Sequence, residues 1–254
     1  MIASLPMYDW PEVRGATDAW WNGIARHLNV SIPLSRDDDY AALWQRPDLL
    51  FSQTCGYPFT HALAGRVQLI ATPHYAVDGC EGAEYSSIIF ARERRPLEAF
   101  RGSVAAVNGP DSMSGMLALK LVFQPLARDG RFFGNVIESG GHIRSMIAVR
   151  DATADVCAID AVCVAMAKAY RPDYLSGLVE IARSPRVPGL PFITRGGDPA
   201  LLRAGLTRAF ADPGLQAARD HLFLSGFSVL TPQDYARIAT LEAAMQENGG
   251  LELL

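Results

Sequence analysis

The sequence has no long apolar run, although 49% of its 254 residues are hydrophobic. No window approaches the 18 consecutive apolar residues typical of a transmembrane helix, so we expect no membrane insertion. The N-terminus also lacks the basic segment, the long apolar segment and the small-residue cleavage site of a signal peptide. As the sequence stands, these features predict a cytoplasmic protein, and a periplasmic location would mean that a leader had been removed.

An excess of positive charge is missing as well. Lys and Arg total 23 against 27 Asp and Glu, which gives a net charge of -4. The densest basic stretch, Arg92-Glu93-Arg94-Arg95, is more typical of a solvated connector than of a binding patch. Nucleic-acid phosphates are bound by clustered Lys and Arg, so we predict no nucleic-acid partner.

Cysteine is scarce and widely spaced. The four cysteines form no C-x-x-C pair and the five histidines are scattered, so we expect no metal site. Cys157 and Cys163 lie in apolar runs and are predicted to be buried thiols. Cys55 and Cys80 lie in loops next to glycine, where they either form a disulfide or remain thiols. No nucleotide-binding or nucleophile motif is present, so we predict no cofactor and no catalytic residue.

Strand and helix patterns alternate along the chain, which predicts an α/β fold with a mostly parallel sheet. Prolines at 185, 188 and 191 indicate an extended connector. We therefore predict a discontinuous lobe I of residues 1–92 and 185–254, and a lobe II of residues 93–184, with two crossings between them. The tail from residue 198 is predicted to be helical and to pack on lobe I.

The turn at residues 108–115 lies between an apolar strand and an apolar helix. Its serine hydroxyls and the first amides of the helix would converge at the positive end of the helix dipole, which suits an anion. The alternative is that Ser112 simply caps the helix. The candidate ligand-binding residues of this turn are Asn108, Ser112, Met113, Ser114 and Gly115.

Two further polar turns favour the anion-binding interpretation. His142 follows Ser139-Gly140-Gly141 at a helix start, where a neutral imidazole could donate to an anion or a protonated one could pair with it. The alternative is a surface histidine. Asp160 also precedes a helix, either as an N-cap or as a ligand-binding carboxylate. Because ligands bind at the carboxyl ends of strands in open α/β sheets, we expect the three turns to meet.

Polar and aromatic side chains also cluster at the predicted strand ends of lobe I. A tyrosine offers both an apolar face and a hydroxyl, which suits the lining of a ligand cleft, although any single tyrosine is often a packing residue. The candidates here are Tyr8, Ser52, Gln53, Thr54, Tyr57, Thr72 and Tyr75.

Together these motifs resemble the phosphate/phosphonate-type substrate-binding components of ABC transporters, which have a type 2 periplasmic binding-protein fold. In chain order the resemblance is carried by residues 5–8, 52–58, 72–75, 79–80, 108–115, 139–142, 154–160 and 188–194.

The resemblance implies a two-lobed α/β protein with two hinge crossings that closes on a small oxyanion in a cleft between the lobes. It implies that Ser112 and Ser114, with the following amides, hold the oxyanion. Tyr57 and His142 would complete the contact, and Asp160 would close the far side. Met113 interrupts the family's Ser/Thr-rich turn, which would leave a more apolar pocket.

Three functions stay open at this stage. The first is a monomeric, non-enzymatic solute-binding protein that delivers a phosphate, phosphonate or related anion to an ABC transporter permease. The second is a cytoplasmic enzyme on the same fold, with His142 and Asp160 as acid and base on a small organic acid. The third is a ligand sensor that signals to a partner.

Overall fold

The computed structural model describes residues 1–37 and 39–253. Positions 38 and 254, both within the predicted lobe I, lie outside the described residues. The strands are β1 Ile2–Ala3, β2 Leu49–Gln53, β3 Gln68–Tyr75, β4 Cys80–Glu81, β5 Glu84–Tyr85, β6 Ser87–Ala91, β7 Val104–Val107, β8 Asn135–Glu138, β9 Val156–Asp160, β10 Val179–Arg183, β11 Val187–Pro188, β12 Phe192–Thr194 and β13 Leu224–Ser228. The α-helices are α1 Arg14–Leu28, α2 Tyr40–Trp44, α3 Gly56–Thr60, α4 Ala118–Phe123, α5 His142–Arg150, α6 Ala161–Tyr170, α7 Pro199–Ala211, α8 Gln216–His221 and α9 Pro232–Glu247.

The chain divides into two compact units whose limits differ from the predicted lobes. Unit 1 comprises residues 1–76, 81–83 and 188–235, and unit 2 comprises residues 77–80, 84–187 and 236–254. The first boundary therefore precedes residue 92, because β6 pairs along its whole length with β9 of unit 2. The second boundary lies between residues 187 and 188, three residues after the predicted one.

The end of the chain belongs to unit 2 and not to the first lobe as predicted. Leu251 and Leu253 are buried, and the Glu252 N–H donates to the Gly130 carbonyl at 2.9 Å. The sequence around these two leucines has no hydrophobic periodicity that would indicate the unit in which they pack. The last residues of the described chain are therefore anchored by packing within unit 2.

Unit 1 contains a five-stranded sheet in the order β1-β2-β12-β3-β13 within the described chain. Only β1 and β2 are parallel, whereas β12 and β13 pair antiparallel to their neighbours. The prediction of a mostly parallel sheet is therefore wrong for this unit. Trp20, Trp21 and Ile24 of α1 are fully buried and belong to the apolar face of this helix.

Strand β13 also corrects the prediction that the tail is helical throughout. It separates α8 from α9 and pairs antiparallel with β3. Ser225 and Gly226 lie inside it, and both residue types are poorer helix formers than their alanine-rich neighbours. The predicted cap at Asp198 is confirmed, because its carboxylate accepts the Ala200 N–H at 2.8 Å.

Unit 2 contains a second five-stranded sheet in the order β10-β6-β9-β7-β8 within the described chain. Every residue of β6 and β9 is buried, as the continuous apolar runs of central strands require. Strand β7 is parallel to both β8 and β9. The carboxyl ends of these three strands therefore lie at the same edge of the sheet.

Candidate functional site

Three polar turns meet at this edge of unit 2, which confirms the predicted convergence of the strand ends. The turns follow β7, β8 and β9, and β7 lies between the other two strands. The chain therefore continues to opposite sides of β7, so the end of this strand is a topological switch point. Ligands of open α/β sheets bind at such points.

The first turn ends in Ser112, which caps the following helical segment. Its Oγ accepts the Gly115 N–H at 2.9 Å, and its carbonyl accepts the Leu117 N–H at 2.9 Å. That five-residue reach makes Met113–Leu117 a π-helical turn, which continues into α4. Such turns are rare and occur often at functional sites. The predicted capping role of Ser112 is confirmed, and its Oγ makes no other hydrogen bond within the described chain.

One side-chain hydrogen bond joins the first turn to the second. Ser114 Oγ lies 2.8 Å from Nε2 of His142, the first residue of α5. Ser114 is only 4% exposed. Because α5 follows β8 and the Ser114 segment follows β7, this bond fixes two of the three turns to each other.

His142 is electrically neutral near pH 7. Burial lowers the pKa of its imidazole to about 4, against the opposing effect of the Ala158 backbone carbonyl. Its Nδ1 is buried and makes no hydrogen bond of good geometry with the described residues. Of the two roles that the sequence left open, the structure favours the neutral imidazole over the protonated one.

Gly115 allows a close approach that no other residue permits. A Cβ at this position would lie 1.7 Å from Asn108 Oδ1 and 3.3 Å from the Asn108 backbone nitrogen. Asn108 Oδ1 is itself buried and has no hydrogen-bond partner among the described residues. The turn therefore contains a buried acceptor next to the first amides of the helical segment.

Met113 belongs to the core of unit 2. Its side chain is 1% exposed, so the residue that interrupts the serine pattern contributes packing to this unit. The turn keeps the two hydroxyls of Ser112 and Ser114.

The second and third turns use their own polar groups internally. Ser139 Oγ lies 2.7 Å from Ser145 Oγ and donates to the Val107 carbonyl at 3.0 Å. Asp160 is 1% exposed, and its carboxylate accepts the Val162 N–H at 2.7 Å. The predicted N-cap role of Asp160 is confirmed, and its contact with a ligand stays a prediction.

In unit 1, Tyr8 and Tyr75 lie together with Gln53. The two tyrosine rings meet edge to face with centroids 5.2 Å apart. Gln53 Nε2 donates to the Tyr75 hydroxyl and to the Leu190 carbonyl, both at 3.1 Å. These three side chains and Trp20 line a cavity of about 30 Å³. Sequence reasoning found the three members of this cluster but missed Trp20, whose helical position indicated only core.

Ser52 and Thr54 are structural residues of unit 1. Ser52 is fully buried, lies 2.7 Å from Ser4 Oγ and accepts the Trp44 Nε1–H at 3.2 Å. Thr54 is fully buried, and its hydroxyl points to the carbonyl of the next residue at 3.4 Å. Both hydroxyls therefore have partners within unit 1, and their contact with a ligand stays a prediction.

Tyr57 lies in α3 and stacks on His61. The ring centroids are 3.9 Å apart with an interplanar angle of 10°, and His61 Nδ1 lies 2.9 Å from the Tyr57 carbonyl. The sequence analysis overlooked His61, although a spacing of four residues between two rings on a helix indicates contact.

Cys55 and Cys80 are thiols in the structure, which is the second of the two alternatives that the sequence left open. Burial raises the pKa of Cys80 to about 12, and the Asp160 carboxylate acts in the same direction. Disulfides form through the thiolate, which is scarce at neutral pH when the pKa is this high. Cys157 and Cys163 are buried thiols, as predicted.

Residues 1–37 and 39–253 contain no group of three or more His, Cys, Asp or Glu side chains that could hold a metal ion. Within the same residues, every helix is too short or too polar to cross a membrane.

The arrangement of unit 2 can be compared with known families. Residues 2–235 match the family described as the periplasmic substrate-binding protein of phosphonate ABC transporters. The chain belongs to this family. Members of the phosphonate substrate-binding family normally function in the periplasm with a transporter permease. No curated protein sequence matches the chain.

Solved structures confirm the two-lobed periplasmic binding-protein fold of this phosphonate-binding family. A binding protein component of an ABC phosphonate transporter from Pseudomonas aeruginosa has a TM-score of 0.80 at 17% identity, covering 97% of this chain and 87% of its own. PhnD1 from Prochlorococcus marinus, in complex with methylphosphonate, has a TM-score of 0.76 at 14% identity, covering 97% and 98%. A Xanthomonas citri protein bound to ATP has a TM-score of 0.70 at 18% identity, covering 98% and 97%. These identities support the fold alone.

Proposed function

We propose that this chain is a non-enzymatic solute-binding protein that binds the oxyanion head group of a phosphonate, or phosphate itself, on the turns of unit 2. The observation that carries the proposal is the 2.8 Å hydrogen bond between Ser114 and His142. It holds two turns together at the switch point of the sheet, beside the first amides of a helical segment.

The proposed site recognises the anion through neutral donors. The turns at residues 108–115 and 139–142 contain no lysine or arginine, and His142 is neutral because its pKa is about 4. The remaining donors are the Ser112 hydroxyl and the first backbone amides of the helical segment and of α5. Backbone amides at helix starts bind phosphate groups in many proteins through their partial positive charge.

The choice of a phosphonate follows from family membership and from the methylphosphonate complex of the Prochlorococcus protein. We further propose a periplasmic location, a monomeric state and delivery of the ligand to an ABC permease. Tyr8, Tyr57 and Tyr75 stay candidates for additional ligand contacts. Ser52 and Thr54 also stay candidates, with hydroxyls that are buried and bonded within unit 1.

The test is titration calorimetry of the purified chain with methylphosphonate, phosphate, sulfate and acetate. We expect methylphosphonate or phosphate to bind at least tenfold more tightly than acetate. Ser114→Ala should weaken that binding about tenfold, because one hydrogen bond to a charged group is lost. Ser225→Ala, at an exposed serine of β13, is the matched control and should leave affinity unchanged.

Two outcomes would contradict the proposal. Equal affinity of the wild type and Ser114→Ala would remove Ser114 from the site. Chemical conversion of the ligand, followed by phosphorus NMR, would favour an enzyme, and it would implicate His142 if His142→Gln stopped turnover while binding persisted.

A further inference from the structure

The direction of the hydrogen bond between Ser114 and His142 determines what the proposed site can offer a ligand. A neutral imidazole carries one N–H, on either Nδ1 or Nε2. If the proton is on Nδ1, Nε2 is an acceptor and the Ser114 hydroxyl must donate to it. Ser114 then presents only oxygen lone pairs to a ligand.

The surroundings of the ring favour the proton on Nδ1. The Ala158 backbone carbonyl acts on the His142 ring as an acceptor and raises its pKa, while Nε2 already faces Ser114 Oγ at 2.8 Å. With the proton on Nδ1, Nε2 accepts and Ser114 is the donor in this pair.

A second acceptor lies at the same turn. Asn108 Oδ1 is buried, has no hydrogen-bond partner among the described residues, and lies against the α-carbon of Gly115. A fully ionised oxyanion brings only acceptors, so it would leave this buried oxygen unsatisfied and would also face the Ser114 lone pairs. Such a mismatch disfavours binding of the fully ionised form.

We propose that the site selects the protonated monoanion of its oxyanion ligand, with the ligand's single P–O–H donating to one of the two acceptors, Ser114 Oγ or Asn108 Oδ1. The inference rests on the proposed function and deepens it. It predicts discrimination against two kinds of anion that carry no proton, the phosphonate dianion and the sulfonates.

Charged groups lie on the elements that neighbour His142. They are Asp111 before the π turn, Glu138 at the end of β8, and Asp160 at the end of β9. The Arg144 guanidinium of α5 donates to the Gly140 carbonyl. At the far end of α5, Arg150 pairs with Asp151, within reach of Asp173 and Tyr174. Because the His142 pKa is about 4, the imidazole keeps one charge state between pH 5.5 and 9.

The test is the affinity of the full chain for methylphosphonate, measured by calorimetry from pH 5.5 to 9, with methanesulfonate as the unprotonated analogue of the same shape. Phosphorus NMR of the free ligand gives its second pKa in the same buffers. Above that pKa we expect the dissociation constant to rise about tenfold per pH unit. Methanesulfonate should bind at least tenfold more weakly than methylphosphonate at pH 5.5.

The variant His142→Gln separates this role from a merely structural one. A glutamine amide can donate to Ser114 Oγ, which frees the serine proton for the ligand. The variant should therefore flatten the pH profile and narrow the gap between methanesulfonate and methylphosphonate. Asn108→Asp, which keeps an acceptor and adds charge, should keep the tenfold change per pH unit of the wild-type profile.

Tight methylphosphonate binding that is flat or increases with pH would overturn this inference and leave the proposed function intact. Equal affinity for methanesulfonate and methylphosphonate would do the same. Absence of binding of any phosphonate or phosphate at every pH would overturn the proposed function and this inference together. The wild-type profile decides the matter even if a variant fails to fold.

Discussion

Polar residues at strand ends have different roles in the two units, although their sequence patterns are alike. In unit 1, Ser52 is enclosed by Ser4 and Trp44 and stabilises the unit itself. In unit 2, Ser112 and Ser114 are also nearly buried, yet they lie at a switch point of the sheet, beside the start of a helical segment. A hydroxyl at a strand end therefore indicates a site only when the strands around it are parallel and their turns converge.

The largest expected effect concerns the free energy of unfolding that is lost because His142 of unit 2 stays neutral. His142 has a folded-state pKa of about 4, below the ordinary value of 6.5. Between pH 6.5 and 4 the unfolded chain therefore binds a proton that the folded chain does not bind. The free energy of unfolding decreases as the pH falls through this range. The loss should reach about 3 kcal/mol and should not grow below pH 4.

Urea unfolding at pH 7, 5.5 and 4.5 measures this loss. Other groups also titrate in this range, so the relevant quantity is the difference between the wild type and His142→Gln. That difference should change with pH by the amount stated. Parallel pH profiles for the two proteins would show that His142 is not held neutral by burial.

The second prediction tests whether Ser52 is structural. Ser52→Ala leaves Ser4 Oγ and Trp44 Nε1 without their partner in a fully buried place. We expect unfolding free energy to fall by about 2 kcal/mol, while the affinity for methylphosphonate stays within a factor of two. Ser225→Ala again serves as the control. A loss of affinity without a loss of stability would place Ser52 among the ligand-binding residues.

Local patterns predicted the unit 2 site better than the unit 1 residues for a physical reason. A strand, a polar turn and a helix that follow each other in sequence fix their own geometry, so α5 begins at His142, as the pattern predicts. The partners of Ser52 are 8 and 48 residues away, and no local pattern shows them. The same distance effect explains the misplaced tail, because Glu252 bonds to a turn at residue 130.

The smallest effect concerns Tyr57, whose ligand contact was implied only by resemblance. Its ring stacks on His61 at 3.9 Å, so His61 is a positioning residue if Tyr57 touches the ligand. Tyr57→Phe should then weaken methylphosphonate binding about threefold, which corresponds to about 0.6 kcal/mol. His61→Ala should have a similar effect through loss of the stack, whereas His61→Phe keeps a flat ring and should restore affinity. Calorimetry at one pH is sufficient. Unchanged affinity in Tyr57→Phe would mean that the Tyr57 hydroxyl makes no ligand contact. The contrast would then be sharper between a unit 2 that binds the ligand and a unit 1 whose polar groups bond within the unit.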